Sequence, residues 1–443
     1  MRKLLKSSWI RFIVIPFLLS FVLISSYVRT AKTIPVSFFD EMLWVGRSYF
    51  FQLYIHRDFS NPAWQEYESY DQPKLGEYAF GAWLYPRYLK EAKREKPQFS
   101  YGQFLATYGL LWSDSTRMFS PGDEGPPQFW AAKYGPKSLK TLDLIYYARN
   151  MNVLLLTGSI IFAYYFVLLA FGLIPAVLFT ALYSFNPLLM QMGLKAHSEA
   201  LFLLLFNTSM FFMLLYFRKK HTIVSLLLFS VSAGLCMATK LNGLMLPVLF
   251  LIIHTLMFDF SNEDNRKKLL AGAVPAIIGF VLLVAINPFT YSDPIGKTTS
   301  LFTWRTYIAS GYQSRLDPKA VLPDALSRFR AIGVNFFSSA RVQYFNGSEL
   351  LKSISPVPYY NYFLVIVTVI GIVYVLRLIL KKNISAIVTG TSFAIVVTCM
   401  GCYLVLNWDR YYVQLPLFFV LFETLGLYWM GKYCLVLIRK RSG

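Results

Sequence analysis

Apolar residues in this chain gather into long runs, divided by short polar breaks and two long polar intervals. Ten runs approach the ~20 residues that cross ~30 Å of hydrocarbon. They lie near residues 9–28, 146–169, 171–187, 199–217, 222–239, 242–258, 270–287, 359–378, 384–406 and 411–434. Each predicts a helix, because a backbone in lipid must satisfy its own hydrogen bonds. The fifth and sixth runs are short. The pattern therefore predicts an all-α integral membrane protein, a single polytopic domain of about ten transmembrane helices over residues 1–443.

Charge placement orients these spans. With a cytoplasmic N-terminus, the cytoplasmic ends are residues 1–6, 218–221, 262–268, 377–382 and 439–442, and all five carry clusters of Lys and Arg. That is the bias expected of cytoplasmic loops. An even number of spans then makes both termini cytoplasmic. Two long polar intervals fall outside, near residues 29–145 and 288–358.

The first interval holds 13 of the 23 acidic residues. It also carries two aromatic, helix-periodic stretches, residues 41–55 and 75–89, expected to lie along the membrane interface. The second interval is basic and aromatic, with Lys297, Trp304, Arg305, Tyr307, Arg315, Arg328, Arg330 and Arg341.

Composition agrees with a membrane protein: 56% hydrophobic and 15% charged residues, with a mean hydropathy of +0.47. The net charge of +20 reads as cytoplasmic span ends, so no nucleic-acid partner is implied. All four cysteines, Cys236, Cys399, Cys402 and Cys434, sit in or beside apolar runs, which excludes a disulfide framework in the loops. Cys399 and Cys402 read as small packing residues one helical turn apart. MRKLLK ahead of the first run resembles a signal n-region, but no small-residue cleavage site follows, so a retained anchor is expected.

Polar residues near span ends supply the candidate chemistry. Asp40 and Glu41, Arg149, His197 and Glu199, Lys240 and Asn242, Asn287 and Asp293, and Asp409 and Arg410 all map to the external side. Any one of these reads as an interface anchor. Together, three cations placed against the positive-inside bias and facing a carboxylate pair suit an anionic ligand with an acid–base group. A phosphate on a lipid carrier fits best, since Lys and Arg bind phosphate oxygens by charge-assisted hydrogen bonds. Asp40 then takes a proton from an acceptor hydroxyl attacking an anomeric carbon.

These residues carry a family resemblance. Phe39-Asp40-Glu41, followed by Tyr70-Asp71-Gln72-Pro73-Lys74-Leu75-Gly76, resembles the F-D-E and H-P-P-L-G-K patterns of the protein O-mannosyltransferases. The aminoarabinose transferases that modify lipid A are similar, with D-E and then E-K-P. Gly234-Leu235 with Ala238-Thr239-Lys240 resembles the G-L-x-x-x-T-K stretch of that group, and Asp409-Arg410-Tyr411-Tyr412-Val413 with Leu415-Pro416 its late R-Y-x-x-P segment. Arg149 matches an Arg that opens the second span.

The resemblance implies a GT-C-fold glycosyltransferase, family 39-like, that takes sugar from a polyprenyl-phosphate donor on the extracytoplasmic face and inverts its configuration. The membrane would be a bacterial or archaeal plasma membrane, or that of the endoplasmic reticulum. On this resemblance Asp40 and Glu41 are catalytic, and Asp71, Gln72, Lys74, Arg149, Lys240 and Arg410 bind donor phosphate; His197 and Glu199 are further candidates. Gln72 stands where relatives have His or Lys, Lys74 replaces the second Pro, and Glu77 stands where the mannosyltransferases have Lys. These departures put the sugar and the acceptor (glycan, lipid or protein) outside the resemblance.

No pair of the four histidines has metal-ligand spacing, while a divalent ion held by Asp40, Glu41 or Asp71 is left open. No phosphate-cradling Gly-rich motif supports a nucleotide sugar. Asn346-Gly347-Ser348 is a glycosylation sequon, meaningful only in a eukaryotic secretory setting. Two rival classes are a transporter or flippase of lipid-linked sugars and a non-catalytic assembly subunit. The one-sided gathering of polar residues and the lack of related halves favour the enzyme over the transporter.

Overall fold

A computed structural model of the chain describes residues 8–37, 41–95, 99–111, 123–218, 222–257, 264–316, 318–337 and 358–441. Asp40, His221, Arg341 and the Asn346 sequon lie outside the described residues. Within them the fold is all-α apart from one two-residue strand pair.

The first apolar run forms α1 (Ile15–Thr33), which leads into β1 (Val36–Ser37). The first stretch of helical periodicity then forms two short helices, α2 (Leu43–Gly46) and α3 (Tyr49–Ile55). The second forms α4 (Leu75–Ala92). The break between α2 and α3 falls at Arg47 and Ser48, whose side chains bond Asp71 and Tyr101 respectively. Between residues 90 and 140, where the sequence shows little periodicity, stand α5 (Tyr101–Thr107), β2 (Glu124–Gly125) and α6 (Pro127–Tyr134). A capping box starts α5: Ser100 accepts from the Gln103 N–H while the Gln103 side chain accepts from the Ser100 N–H. The strands pair antiparallel, Val36 opposite Gly125.

Next comes α7 (Lys137–Phe171), which begins nine positions before the predicted span start at 146. The third run is broken: α8 (Leu173–Ser184) bends by 61° into α9 (Pro187–Leu194). Asn186 caps α9 by accepting from the Leu189 N–H, and Pro187 occupies its first turn. Six more runs give α10 (Glu199–Arg218), α11 (Ile223–Thr239), α12 (Met245–Met257) and α13 (Asp264–Ile286), then α16 (Pro358–Leu380) and α17 (Ile384–Tyr403). Between α13 and α16 the second polar interval holds α14 (Pro294–Tyr307) and α15 (Ala325–Phe337). The last run becomes α18 (Pro416–Arg441), which starts at a proline later than the predicted 411.

All ten apolar runs thus carry helix. Five of the described helices are by themselves long and apolar enough to cross a membrane, and six if the bent pair is one span. The runs near 222–239, 242–258 and 270–287 give shorter apolar helices.

Among the described residues the largest core cluster is centred on α7 and α10, and a second packs the first polar interval against the start of α7. Buried Asn207 of α10 donates to the Ser159 hydroxyl of α7 (2.8 Å) and to Tyr183 of α8 (3.2 Å). That links three helices by hydrogen bonds worth about 0.6 kcal/mol each in such settings. Between α16 and α18 the contact is backbone to backbone. A methyl at Gly371 would strike the Phe422 carbonyl, and one at Gly426 the Val367 carbonyl. Small residues let helices approach this closely where lipid offers no competing hydrophobic drive.

Candidate functional site

The chain that leaves α1 is fastened before it reaches Glu41. Arg149 and Glu41 are both fully buried and form a two-pronged ion pair, Nε to Oε1 at 2.6 Å and Nη2 to Oε2 at 2.5 Å. The remaining donors of Arg149 go to carbonyls at the end of α1: Nη1 to Ala31 and Ile34, Nη2 to Pro35. A guanidinium has five N–H donors, and all five are spent. Glu41 also accepts from the N–H groups of Ala196 (2.7 Å) and Ser37 (3.2 Å). Burial raises the Glu41 carboxyl, but the Arg149 charge and hydrogen bonds outweigh it, helped by His197 and Lys195, so its pKa sits below the usual carboxylate value. Arg149, expected as a phosphate ligand, is placed as the clamp of Glu41, with no donor left for a ligand.

A second layer rests on the loop from residue 195 to 199. Asn152 of α7 fixes it, donating to the carbonyls of Lys195 and His197. Lys195 Nζ reaches Glu124 of β2 at 2.5 Å. Glu199 opens α10, pairs with Lys240 at 2.5 Å, and has its other oxygen 3.5 Å from His197 Nδ1. Arg410 lies within electrostatic reach of Glu199 and sits over the rings of Trp408 and Tyr411, 4.9 and 5.6 Å from their centroids. The expected residues His197, Glu199, Lys240 and Arg410 are therefore brought together.

The altered motif from Asp71 to Glu77 has two parts. Asp71 lies between two arginines, accepting from Arg47 Nη1 at 3.0 Å and Arg305 Nη1 at 2.9 Å. Burial raises this carboxyl, but Arg305, Arg47 and Lys74 prevail and hold it at about 2. Arg305 also donates to the Tyr411 hydroxyl at 3.1 Å. As a carboxylate bound to cations, Asp71 does not itself attract phosphate. Lys74 is fully buried, its ammonium 2.9 Å from both Glu77 oxygens and 4.5 Å from the centre of the Phe50 ring. The expectation that Lys74 supplies charge to a ligand is not met, because Glu77, one helical turn on, turns it inward. Burial lowers Lys74 and raises Glu77 to about 7. Gln72 is half-buried and makes no side-chain hydrogen bond with the described residues. Gly76 has a packing reason: a Cβ there would lie 2.8 Å from that of Ser198, so its absence lets α4 press against the start of α10.

Beside these groups is a cavity of about 680 Å³. Apolar side chains from α12, α14 and α17, such as Met245, Val248 and Phe302, make up most of its wall. Arg305, Arg328 and Tyr411 give it a cationic, hydrogen-bonding side. Cys399 and Cys402 line it as free thiols.

Among the described residues no group of three His, Cys, Asp or Glu side chains is placed to hold a metal ion. Glu41 and Asp71, two of the three residues considered for one, engage both oxygens with cations or N–H groups. Arg47, Arg305, Lys195 and Asn152 do structural work that their positions in the sequence do not signal. Arg305 was visible only as one of several basic residues in an aromatic interval, because its partner lies 234 positions away.

No curated protein matches the chain. The family model described as dolichyl-phosphate-mannose-protein mannosyltransferase matches residues 124–292, a stretch from β2 to just before α14. This match implies a glycosyltransferase and makes the chain similar to that family, consistent with the GT-C, family 39-like resemblance of its motifs.

Proposed function

We propose that this protein is a membrane glycosyltransferase that moves a sugar from a polyprenyl-phosphate carrier to an acceptor hydroxyl on the extracytoplasmic face. The observation that carries the reading is the apolar cavity bordered by Arg305, Arg328 and Tyr411. An isoprenoid chain requires the apolar wall and a phosphate requires the guanidinium groups. The family description adds mannose as the first sugar to test and protein as the first acceptor.

Asp40 is the general base in this proposal. It is next in sequence to Glu41, whose two oxygens are fixed by four hydrogen bonds. Asp40 removes the acceptor proton as the hydroxyl oxygen attacks the anomeric carbon from the face opposite the phosphate. The bond from that carbon to the phosphate oxygen breaks, and the carrier leaves as a phosphate monoester anion. Arginine donors stabilise the charge that gathers on the leaving oxygen. Lys240 and Arg410 add positive potential nearby, and Glu41 supplies position.

The test is direct. Full-length protein in lipid nanodiscs would receive polyprenyl-phosphate mannose and a panel of protein, glycan and lipid acceptors, with release of polyprenyl phosphate read by mass. Transfer or donor hydrolysis is expected from wild type and from no other class of protein considered. Release that never occurs, or that survives Asp40→Asn unchanged, overturns the reading. Movement of intact donor across vesicle membranes without release would favour the transporter.

A further inference from the structure

We infer that Asp71 is a positioning residue that sets Arg305 at the edge of the apolar cavity, so that one external segment aims a phosphate-facing cation carried by the other. The inference rests on the cavity being the donor site.

Three contacts lay α14 across the middle of the first polar interval. Lys297 donates to the Gln65 amide oxygen at 3.3 Å. Tyr70 meets Trp304 edge to face, ring centres 5.6 Å apart. Arg305 then reaches Asp71, and Asp71 gives its other oxygen to Arg47. The carboxylate is thus braced from its own segment by Arg47 and uses its second oxygen to hold an arginine 234 positions on.

Arg305 spends one donor on Asp71 and one on Tyr411, and no other bond to it is made by the described residues. Three donors therefore remain on a guanidinium that lines the cavity. The Arg305 guanidinium thus brings a positive charge to the cavity edge, which favours an anion. A long arginine side chain left loose loses rotamer freedom on binding, and fixing it beforehand removes that cost. Asp71 repels phosphate, so its contribution runs through Arg305.

The experiment measures selectivity, which a merely structural brace would not alter. Full-length protein in nanodiscs would be titrated with a polyprenyl monophosphate and with the polyprenol of equal length. Wild type is expected to prefer the phosphate at least tenfold, about the worth of one hydrogen bond between charged groups. Asp71→Asn and Arg305→Gln are each expected to reduce that preference about tenfold, and the double variant no further, as coupled residues do. Asp71→Glu keeps the charge but adds a methylene, and its selectivity should fall between wild type and Arg305→Gln. This variant carries the test if Asp71→Asn does not fold. Wild-type selectivity in the Asp71 variants beside a deficient Arg305→Gln, or losses that simply add, would overturn the inference and leave the donor site standing. A wild type that binds alcohol and phosphate equally would instead remove the donor site itself.

Discussion

The first polar interval sets a buried carboxylate against arginine twice, and the two uses differ in solvent and in stoichiometry. At Glu41 one carboxylate meets one arginine, both at 0% exposure, and every donor of that arginine is consumed. At Asp71 one carboxylate meets two arginines, with all three side chains 10–16% exposed, and Arg305 keeps donors toward a cavity. The first arrangement neutralises itself and becomes architecture. The second keeps arginine donors toward a space. Equal residue types thus have opposite availability, and only the count of donors against acceptors separates them.

Breaking the saturated pair should have the largest effect. Arg149→Ala strands Glu41 and three carbonyls away from water, and removing one partner of a buried pair costs about 3–5 kcal/mol. The yield of monodisperse protein and its melting temperature should both collapse. Arg149→Lys should recover little, since an ammonium offers three donors where five are used. Asp40→Asn sharpens the contrast from the neighbouring position. It should lower kcat at least ~100-fold, the range for a general base, while the stability read from melting curves stays within ~1 kcal/mol of wild type. A loss of both would make residue 40 part of the clamp.

Acid probes the second arrangement. Asp71 has a folded pKa of about 2 against an ordinary 3.8. Its contribution to stability, about 2 kcal/mol, is therefore fully present above pH ~4 and is lost as pH falls toward 2. Melting curves of wild type and Asp71→Asn should be separated at pH 7 and converge only as pH falls to about 2 and below. A separation that persists there would mean that Asp71 acts through shape and not through charge. The smallest effect is expected at Arg87 and Asp143, an ion pair of 2.7 Å whose Asp143 side chain is 66% exposed. Asp143→Asn should shift stability by no more than about 1 kcal/mol. It sets the scale against which the two buried arrangements are read.

The ten apolar runs, the helical stretches at 41–55 and 75–89, and the grouping of His197, Glu199, Lys240 and Arg410 were legible because they follow from local pattern and span order. The bend at Asn186-Pro187 was legible too, as a cap and a proline in succession, but hydropathy averages over it. The early start of α7 was hidden because Lys137 and Lys140 make its first turns polar. Least legible was which cations face a ligand. Arg149 and Lys74 look available along the sequence, and each is consumed by a carboxylate: Glu41, 108 positions away, and Glu77, three positions on. Conversely, Arg305 becomes interesting only once Asp71 and Tyr411 stand beside it.

The fastening of α1 by Arg149 also has a temporal side. Ribosomes release α1 more than a hundred residues before the arginine that satisfies the carbonyls of Ala31, Ile34 and Pro35. During that interval the nascent chain has an anchored first helix and an unfinished exit from it. β1 waits similarly for Glu124 and Gly125. Insertion of α7 is therefore the event that closes the N-terminal third of the protein, and a chain stalled before residue 149 holds Asp40 and Glu41 without the frame that fixes Glu41.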